Sequence, residues 1–204
     1  MAHSLIVGMT ESGKTTLAKI LCSRLKKRGI LTAVLDPLKD NGWHADFVTD
    51  NVEAFNTYCK ANKSHVLFID EGGLTVGRYD TEMQWYATMS RHWGHSCYFI
   101  SQGVTQLAPI IRQQASKYYV FACGESNTRL IAEECREPDL KECSRIGKGE
   151  FFIVSRFENM KRARIEYPTK GRVAIDKLTV TVYKGDEPTT ISQSTKDEAT
   201  HVQQ

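Results

Sequence analysis

Residues 8–15, Gly-Met-Thr-Glu-Ser-Gly-Lys-Thr, set two glycines, a lysine and a hydroxyl at a spacing suited to gripping a chain of phosphates. They satisfy every fixed position of G-x-x-x-x-G-K-[ST]. Gly8 and Gly13 let the backbone curl until its N–H groups face inward, and a helix starting near Lys14 adds the positive end of its dipole. Lys14 brings a point charge to the β- and γ-phosphates, and the Thr15 hydroxyl is a ligand for Mg2+. Gly8, Met9, Thr10, Glu11, Ser12, Gly13, Lys14, Thr15 and Thr16 are therefore the expected nucleotide cradle, with a nucleoside triphosphate and Mg2+ as its occupants. A glycine turn ahead of an ordinary helix has a similar outline. It does not call for four fixed positions at once, preceded by the apolar run Leu5, Ile6, Val7 and followed by LAKILCSRLKK.

Three further groups of residues complete the chemistry. The run VLFIDEGG delivers Asp70 and Glu71 at the end of an apolar strand. In an open α/β sheet the ligand crevice lies at the carboxyl ends of the strands, so both acids are expected to meet the nucleotide. Asp70 is expected to hold Mg2+ through its water shell, and Glu71 to orient and deprotonate an attacking water. A glutamate beside the metal acid favours water as the nucleophile, hence hydrolysis over transfer to an acceptor hydroxyl. The run CYFISQ ends on Gln102, a neutral amide able to hydrogen-bond both the γ-phosphate and the water, although an ordinary loop glutamine would read the same way. Arg91, in SRHWGHS, stands at the opposite end of that strand from Gln102. It is thus expected to neutralise γ-phosphate charge in a neighbouring subunit, with Arg78, Arg112 and Arg129 as rivals.

The elements that must position these groups alternate along the chain. Strands are expected at residues 30–35, 65–69, 96–100 and 117–122, and helices at 16–28, 51–61, 81–92, 109–114 and 126–136, with a short turn of helix at 138–143. Residues 39–49, which contain Asn41-Gly42, read as a loop or irregular excursion. Residues 151–155 and 163–167 alternate like an antiparallel pair. The fold class that follows is α/β: a mostly parallel sheet flanked by helices, with an antiparallel addition at its C-terminal edge. Residues 1–176 form the expected catalytic domain. Residues 177–204 are a further strand or an arm that pairs with a neighbour, followed by the polar stretch TTISQSTKDEATHVQQ, expected to be mobile.

Composition narrows the class. A chain of 204 residues is long enough for one cored domain and short for two. No apolar run approaches the ~20 residues that cross a bilayer, and the first apolar segment leads straight into the glycine loop rather than a cleavage site. The six cysteines lack C-x-x-C spacing, which argues against zinc and for reduced buried thiols. A net charge of +3 diagnoses no nucleic-acid partner. The basic stretch between Arg145 and Arg172 is either a solvated face or a phosphate-contacting surface.

Taken together, GMTESGKTT, VLFIDEGG, SRHWGHSCYFISQ and LAPIIRQQASKYYVF resemble the FtsK/HerA superfamily of DNA-pumping ATPases, and within it the small genome-packaging ATPases of tailless icosahedral viruses with an internal membrane. The resemblance spans about residues 4–155. It implies a P-loop NTPase of RecA-like (ASCE) build whose Gln102 strand lies between the P-loop strand and the Asp70 strand. It also implies a hexameric ring of this chain, double-stranded DNA gripped without sequence specificity in the central channel, and packaging into a preformed capsid. The implied partners are capsid-vertex or membrane proteins of the virion, and the implied location is the virion and host cytoplasm. Lys14 and Thr15 then form the P-loop pair, Asp70 the Mg2+ acid, Glu71 the base, Gln102 the sensor and Arg91 the finger acting in trans. DNA contacts are expected either in the loop after Glu71 (Gly72, Gly73, Arg78) or on the strip from Arg156 to Arg172. With the P-loop beginning at residue 8, no preceding domain and no membrane span of its own are expected, and no following winged-helix reader. The alternatives are a nucleotide or nucleoside kinase, a cellular or plasmid DNA pump, and a nucleotide switch. No N-K-x-D guanine-reading motif favours the last.

Overall fold

A computed structural model describes residues 3–70, 81–168, 173–184 and 187–190. Their backbone forms one ten-stranded sheet in the order β10-β9-β8-β7-β6-β1-β5-β4-β2-β3. The parallel half comprises β1 (His3–Val7), β2 (Thr32–Leu35), β3 (Phe47–Thr49), β4 (Val66–Ile69), β5 (Ser96–Ser101) and β6 (Ala115–Phe121). The antiparallel half comprises β7 (Glu150–Ser155), β8 (Lys161–Glu166), β9 (Thr179–Lys184) and β10 (Glu187–Thr190). The helices are α1 (Lys14–Lys27), α2 (Val52–Ala61), α3 (Thr81–Thr88), α4 (Pro109–Gln114) and α5 (Glu125–Cys135), with 3-10 turns at Ser90–Trp93 and Pro138–Arg145.

Strands covered on both faces should carry continuous apolar runs, and Leu5-Ile6-Val7, Ala33-Val34-Leu35 and Leu67-Phe68-Ile69 are such runs, all fully buried. Successive side chains enter two separate cores. Leu5, Val7, Ala33, Leu35, Leu67, Ile69, Phe99, Tyr118 and Val120 meet α2 to α5 on one side. Ile6, Val34, Phe68, Ile100, Tyr119 and Phe121 meet Leu17, Ala18 and Ile20 of α1 on the other. On β8 and β9 only Ala163, Ile165, Val180 and Val182 join that second core. Arg162 and Arg164 point to the opposite face and are exposed. This explains the strict alternation of β8 and marks it as an antiparallel strand packed on one side.

Two regions depart from the sequence expectation, and a third takes one of the two forms expected of it. Residues 47–49 form the edge strand β3 rather than loop, because Asp36 staples the preceding turn: its buried carboxylate accepts Leu38 N–H at 3.0 Å, Asp40 N–H at 2.8 Å and Trp43 Nε1–H at 2.8 Å. The helix expected over 81–92 stops at Thr88 and gives way to the turn Ser90–Trp93, which ends on Gly94 at φ 77°. LTVTVY pairs with β8 as β9, and the first residues of the polar C-terminal stretch, Thr189 and Thr190, belong to β10. Thus β9 and β10 extend the same sheet as the P-loop strand.

The parallel strands β1 and β5 depend on Phe99, fully buried between β1 and β4. Phe99→Ala should lower unfolding free energy by about 3–5 kcal/mol, read from urea denaturation. A loss below about 1 kcal/mol would mean that the core collapses around the site instead of keeping the strand tips in register.

Candidate active site

The loop after β1 is fixed from both sides. Gly8 N–H donates to Ser101 O of β5 at 3.3 Å, and Met9 N–H donates to Ala122 O beyond β6 at 2.8 Å. Gly8 has φ 156°, and a Cβ there would stand 2.5 Å from the Cβ of Phe121, so glycine is required by close approach as well as by conformation. Glu11 takes φ 62° and Gly13 φ 114°, which completes the curl and starts α1. Helix α2 is capped by the Asn51 side chain, which accepts Ala54 N–H at 2.9 Å, whereas no side chain caps α1 and its first turn holds no acid. An uncapped helix start leaves first-turn N–H groups available to an anion.

Within the curl, the Lys14 ammonium donates to Met9 O at 2.8 Å and is 7 % exposed. The Ser12 hydroxyl is buried and without a hydrogen-bond partner. It lies inside the loop, 3.0 Å from where a Gly8 Cβ would be. A buried hydroxyl lacking a partner, an ammonium and an uncapped helix start form a site chemically fit for phosphate oxygens.

Strand order brings two further predicted residues to the loop. β5 lies between β1 and β4, in the arrangement that the resemblance implies. Val7 pairs with Ser101, so Gln102 follows β5 level with Gly8. Ile69 pairs with Phe99, which sets Asp70 at the next strand tip. Thr15 Oγ1 donates to Asp70 Oδ2 at 3.2 Å, and Asp70 is 4 % exposed. Two hard oxygens so close suit a Mg2+ ion that takes its other ligands from phosphates and water. No cluster of three or more His, Cys, Asp or Glu able to hold a metal occurs among the described residues.

Glu71, with Gly72, Gly73 and Arg78, lies outside the described residues. Arg91 is exposed in the turn before β5 and is not brought to the cradle. Burial, then the Arg91 charge, push the His3 imidazole down to about 4. Arg91 lies in the turn that leads into β5, and β5 runs parallel to β1, so it stands at the amino ends of these strands, whereas the cradle follows the carboxyl end of β1. Five residues of extended chain separate those ends by roughly 16 Å. Of its rivals, Arg112 is tied internally to Glu134 at 2.9 Å and Leu107 O at 2.8 Å, and exposed Arg129 pairs with Glu133 at 2.9 Å. All six cysteines are buried free thiols.

Sequence reasoning missed the segment covering the loop's other flank. Gly149 N–H donates to Ser12 O at 2.9 Å, and Tyr167 packs on Gly149. It also missed Asn127, whose Oδ1 accepts Thr105 N–H at 3.2 Å and so braces the turn after Gln102. Neither has a motif; only the glycine spacing 147–149 hints at the first. A separate cleft, lined by Thr128, Arg129, Pro138, Lys141 and Arg145 among others, touches no residue of the cradle.

The fold and the site together define a P-loop ATPase. Residues 4–88 match the family model described as ATPase family associated with various cellular activities (AAA). The structure is similar to the genome packaging NTPase B204 from Sulfolobus turreted icosahedral virus 2 in complex with AMPPCP, with a TM-score of 0.64 and 21% identity over 79% of this chain and 96% of that one. It is similar to VirB4 of Thermoanaerobacter pseudethanolicus, with a TM-score of 0.64 and 12% identity over 82% of this chain and 90% of that one. The pCW3 conjugation coupling protein TcpA with ATPgS gives a TM-score of 0.56 and 14% identity over 77% of this chain and 58% of that one. Comparison with curated protein sequences gives no match.

Gly8→Ala tests the clamp directly. The added methyl meets a backbone-anchored carbon of β6 that no rotamer change can move, so stability should fall by about 1–3 kcal/mol. Nucleotide binding should fall with it, read by calorimetry with a non-hydrolysable ATP analogue. Unchanged melting and binding would show that the close approach of β6 does not shape the loop.

Proposed function

We propose that this chain is a DNA-translocating ATPase of the FtsK/HerA type that drives a viral genome into a preformed capsid, working as a ring with its active sites at subunit interfaces. The observation that carries this reading is the arrangement of β1, β5 and β4. The cradle, Gln102 and Asp70 stand together at one edge of the sheet, while Arg91 stands at the far end of β1. The likeness in fold to a viral genome packaging NTPase over 96% of that protein supports the packaging role.

In the proposed reaction the curl of residues 8–16 holds the triphosphate of ATP through backbone N–H groups, with Lys14 at the β- and γ-phosphates. Thr15 would ligate Mg2+ and Asp70 would hold it through its water shell, and the ion would offset charge on the phosphate oxygens. Glu71 takes the proton of the attacking water. Gln102 hydrogen-bonds the water and the γ-phosphate, so loss of the latter changes its partners. Arg91 of the adjacent subunit neutralises charge as the bond breaks. Double-stranded DNA in the ring's channel is gripped through phosphates by lysines and arginines, without base readout. Six subunits, a capsid-vertex or membrane-protein partner of the virion, and residence in virion and host cytoplasm complete the proposal. No described helix is long and apolar enough to cross a membrane. The likeness to VirB4 favours a second reading, a cellular or plasmid DNA pump with the same site.

Hydrolysis should rise severalfold with double-stranded DNA of any sequence and lose that stimulation at high salt. Phosphate transfer to a nucleoside monophosphate in place of this stimulation would make the chain a kinase. Glu71→Gln should retain ATP affinity and lower turnover by a factor of about 100 or more, read as phosphate release. Full residual hydrolysis would take the base role away from Glu71.

A further inference from the structure

The cradle has a wall on its far flank that no motif announces. On β8, Ala163 and Ile165 face the core under α1, and Tyr167, two residues beyond Ile165, continues that alternation past the end of the strand. Its ring lies against Gly149, where a Cβ would come within 2.6 Å of Cε2. Its hydroxyl lies 3.1 Å from the point a Gly13 Cβ would occupy. Gly149 is itself bound on both sides, donating its N–H to Ser12 O at 2.9 Å and accepting Ile165 N–H at 2.9 Å. Two glycines at positive φ, 114° at Gly13 and 82° at Gly149, thus allow an aromatic ring to rest on the phosphate loop. Tyr167 nevertheless remains 41% exposed.

The direction of a bound triphosphate follows from the strand order. Asp70 ends β4 and Gln102 ends β5, on one side of the loop after β1; β6, β7 and β8 lie on the other. With the terminal phosphate toward Asp70 and Gln102, the nucleoside end leaves toward β8, where Tyr167 stands. We infer that Tyr167, seated on Gly149, is the stacking platform for the nucleotide base, so that the site selects a nucleoside triphosphate over a bare phosphate chain. This rests on the proposed reading of residues 8–16 as a triphosphate cradle. An aromatic ring stacks on any base, so the platform adds affinity without choosing among bases. A half-exposed tyrosine packed on glycine serves as such a platform with little reorganisation, because one face of its ring is already seated on Gly149.

Calorimetric titrations of the full chain with ATP and with inorganic tripolyphosphate, each with Mg2+, test this in wild type, Tyr167→Ala and Tyr167→Phe. Tyr167→Ala should weaken ATP by about tenfold or more and leave tripolyphosphate unchanged. Tyr167→Phe, which keeps the ring, should bind ATP like wild type. Equal weakening of both ligands would overturn the inference and make Tyr167 a brace of the loop. So would ATP affinity that survives Tyr167→Ala. If the wild type binds neither ligand, the triphosphate reading of the loop falls and the platform with it. Binding of tripolyphosphate by a wild type whose ATP affinity does not depend on Tyr167 removes the platform alone.

Discussion

The structure turns on the clamp that holds the loop after β1 between its two neighbouring strands. Gly8 N–H reaches Ser101 O on β5, Met9 N–H reaches Ala122 O after β6, and the missing Cβ of Gly8 leaves room for Phe121. These contacts require β1 to be central, flanked by parallel strands whose tips end level with its own. Parallel strands buried on both faces supply that register, because a slip of one residue would exchange the two cores. Everything else in the site inherits its position from this clamp: Gln102 from the pairing of Val7 with Ser101, Asp70 from that of Ile69 with Phe99.

The same geometry divides the chemistry between two ends of the sheet. Groups that can grip a phosphate chain collect at the carboxyl edge, where helix N-termini and turning backbone offer N–H donors. Arg91 stands at the amino edge, in the turn before β5, separated from the cradle by the length of the strands. Side-chain motion cannot bridge that span. An arginine so placed either has no part in the reaction or serves the site of a neighbour, and the second option makes hydrolysis depend on assembly. A motor gains from that dependence, since each cleavage event is then sensed across an interface.

Much of this was legible because the chemistry lies in local sequence. Gly8 to Thr16 declare their conformation through two glycines and a helix start, and apolar runs such as Leu5-Ile6-Val7 declare strands covered on both faces. Arg162 and Arg164, alternating with Ala163 and Ile165, declare a strand packed on one face. What escaped depends on distant approach. The edge strand Phe47–Thr49 rests on the hydrogen bonds of Asp36, and Glu187–Thr190 pairs with β9 without any apolar pattern of its own. The seating of Tyr167 on Gly149 arises only when β8 is laid beside the loop. Asn127 likewise acquires its contact with Thr105 through the packing of α5 against the turn after β5.

The central claim is that each active site is completed by the next subunit, and mixed rings test it most directly. Lys14→Ala removes the cradle but keeps Arg91, and Arg91→Ala does the reverse, so neither alone should hydrolyse ATP in the presence of double-stranded DNA. Mixed in equal amounts and shown to co-assemble, they should recover part of the wild-type phosphate release. Co-assembled rings that stay inactive, or full turnover by Arg91→Ala alone, would contradict the account.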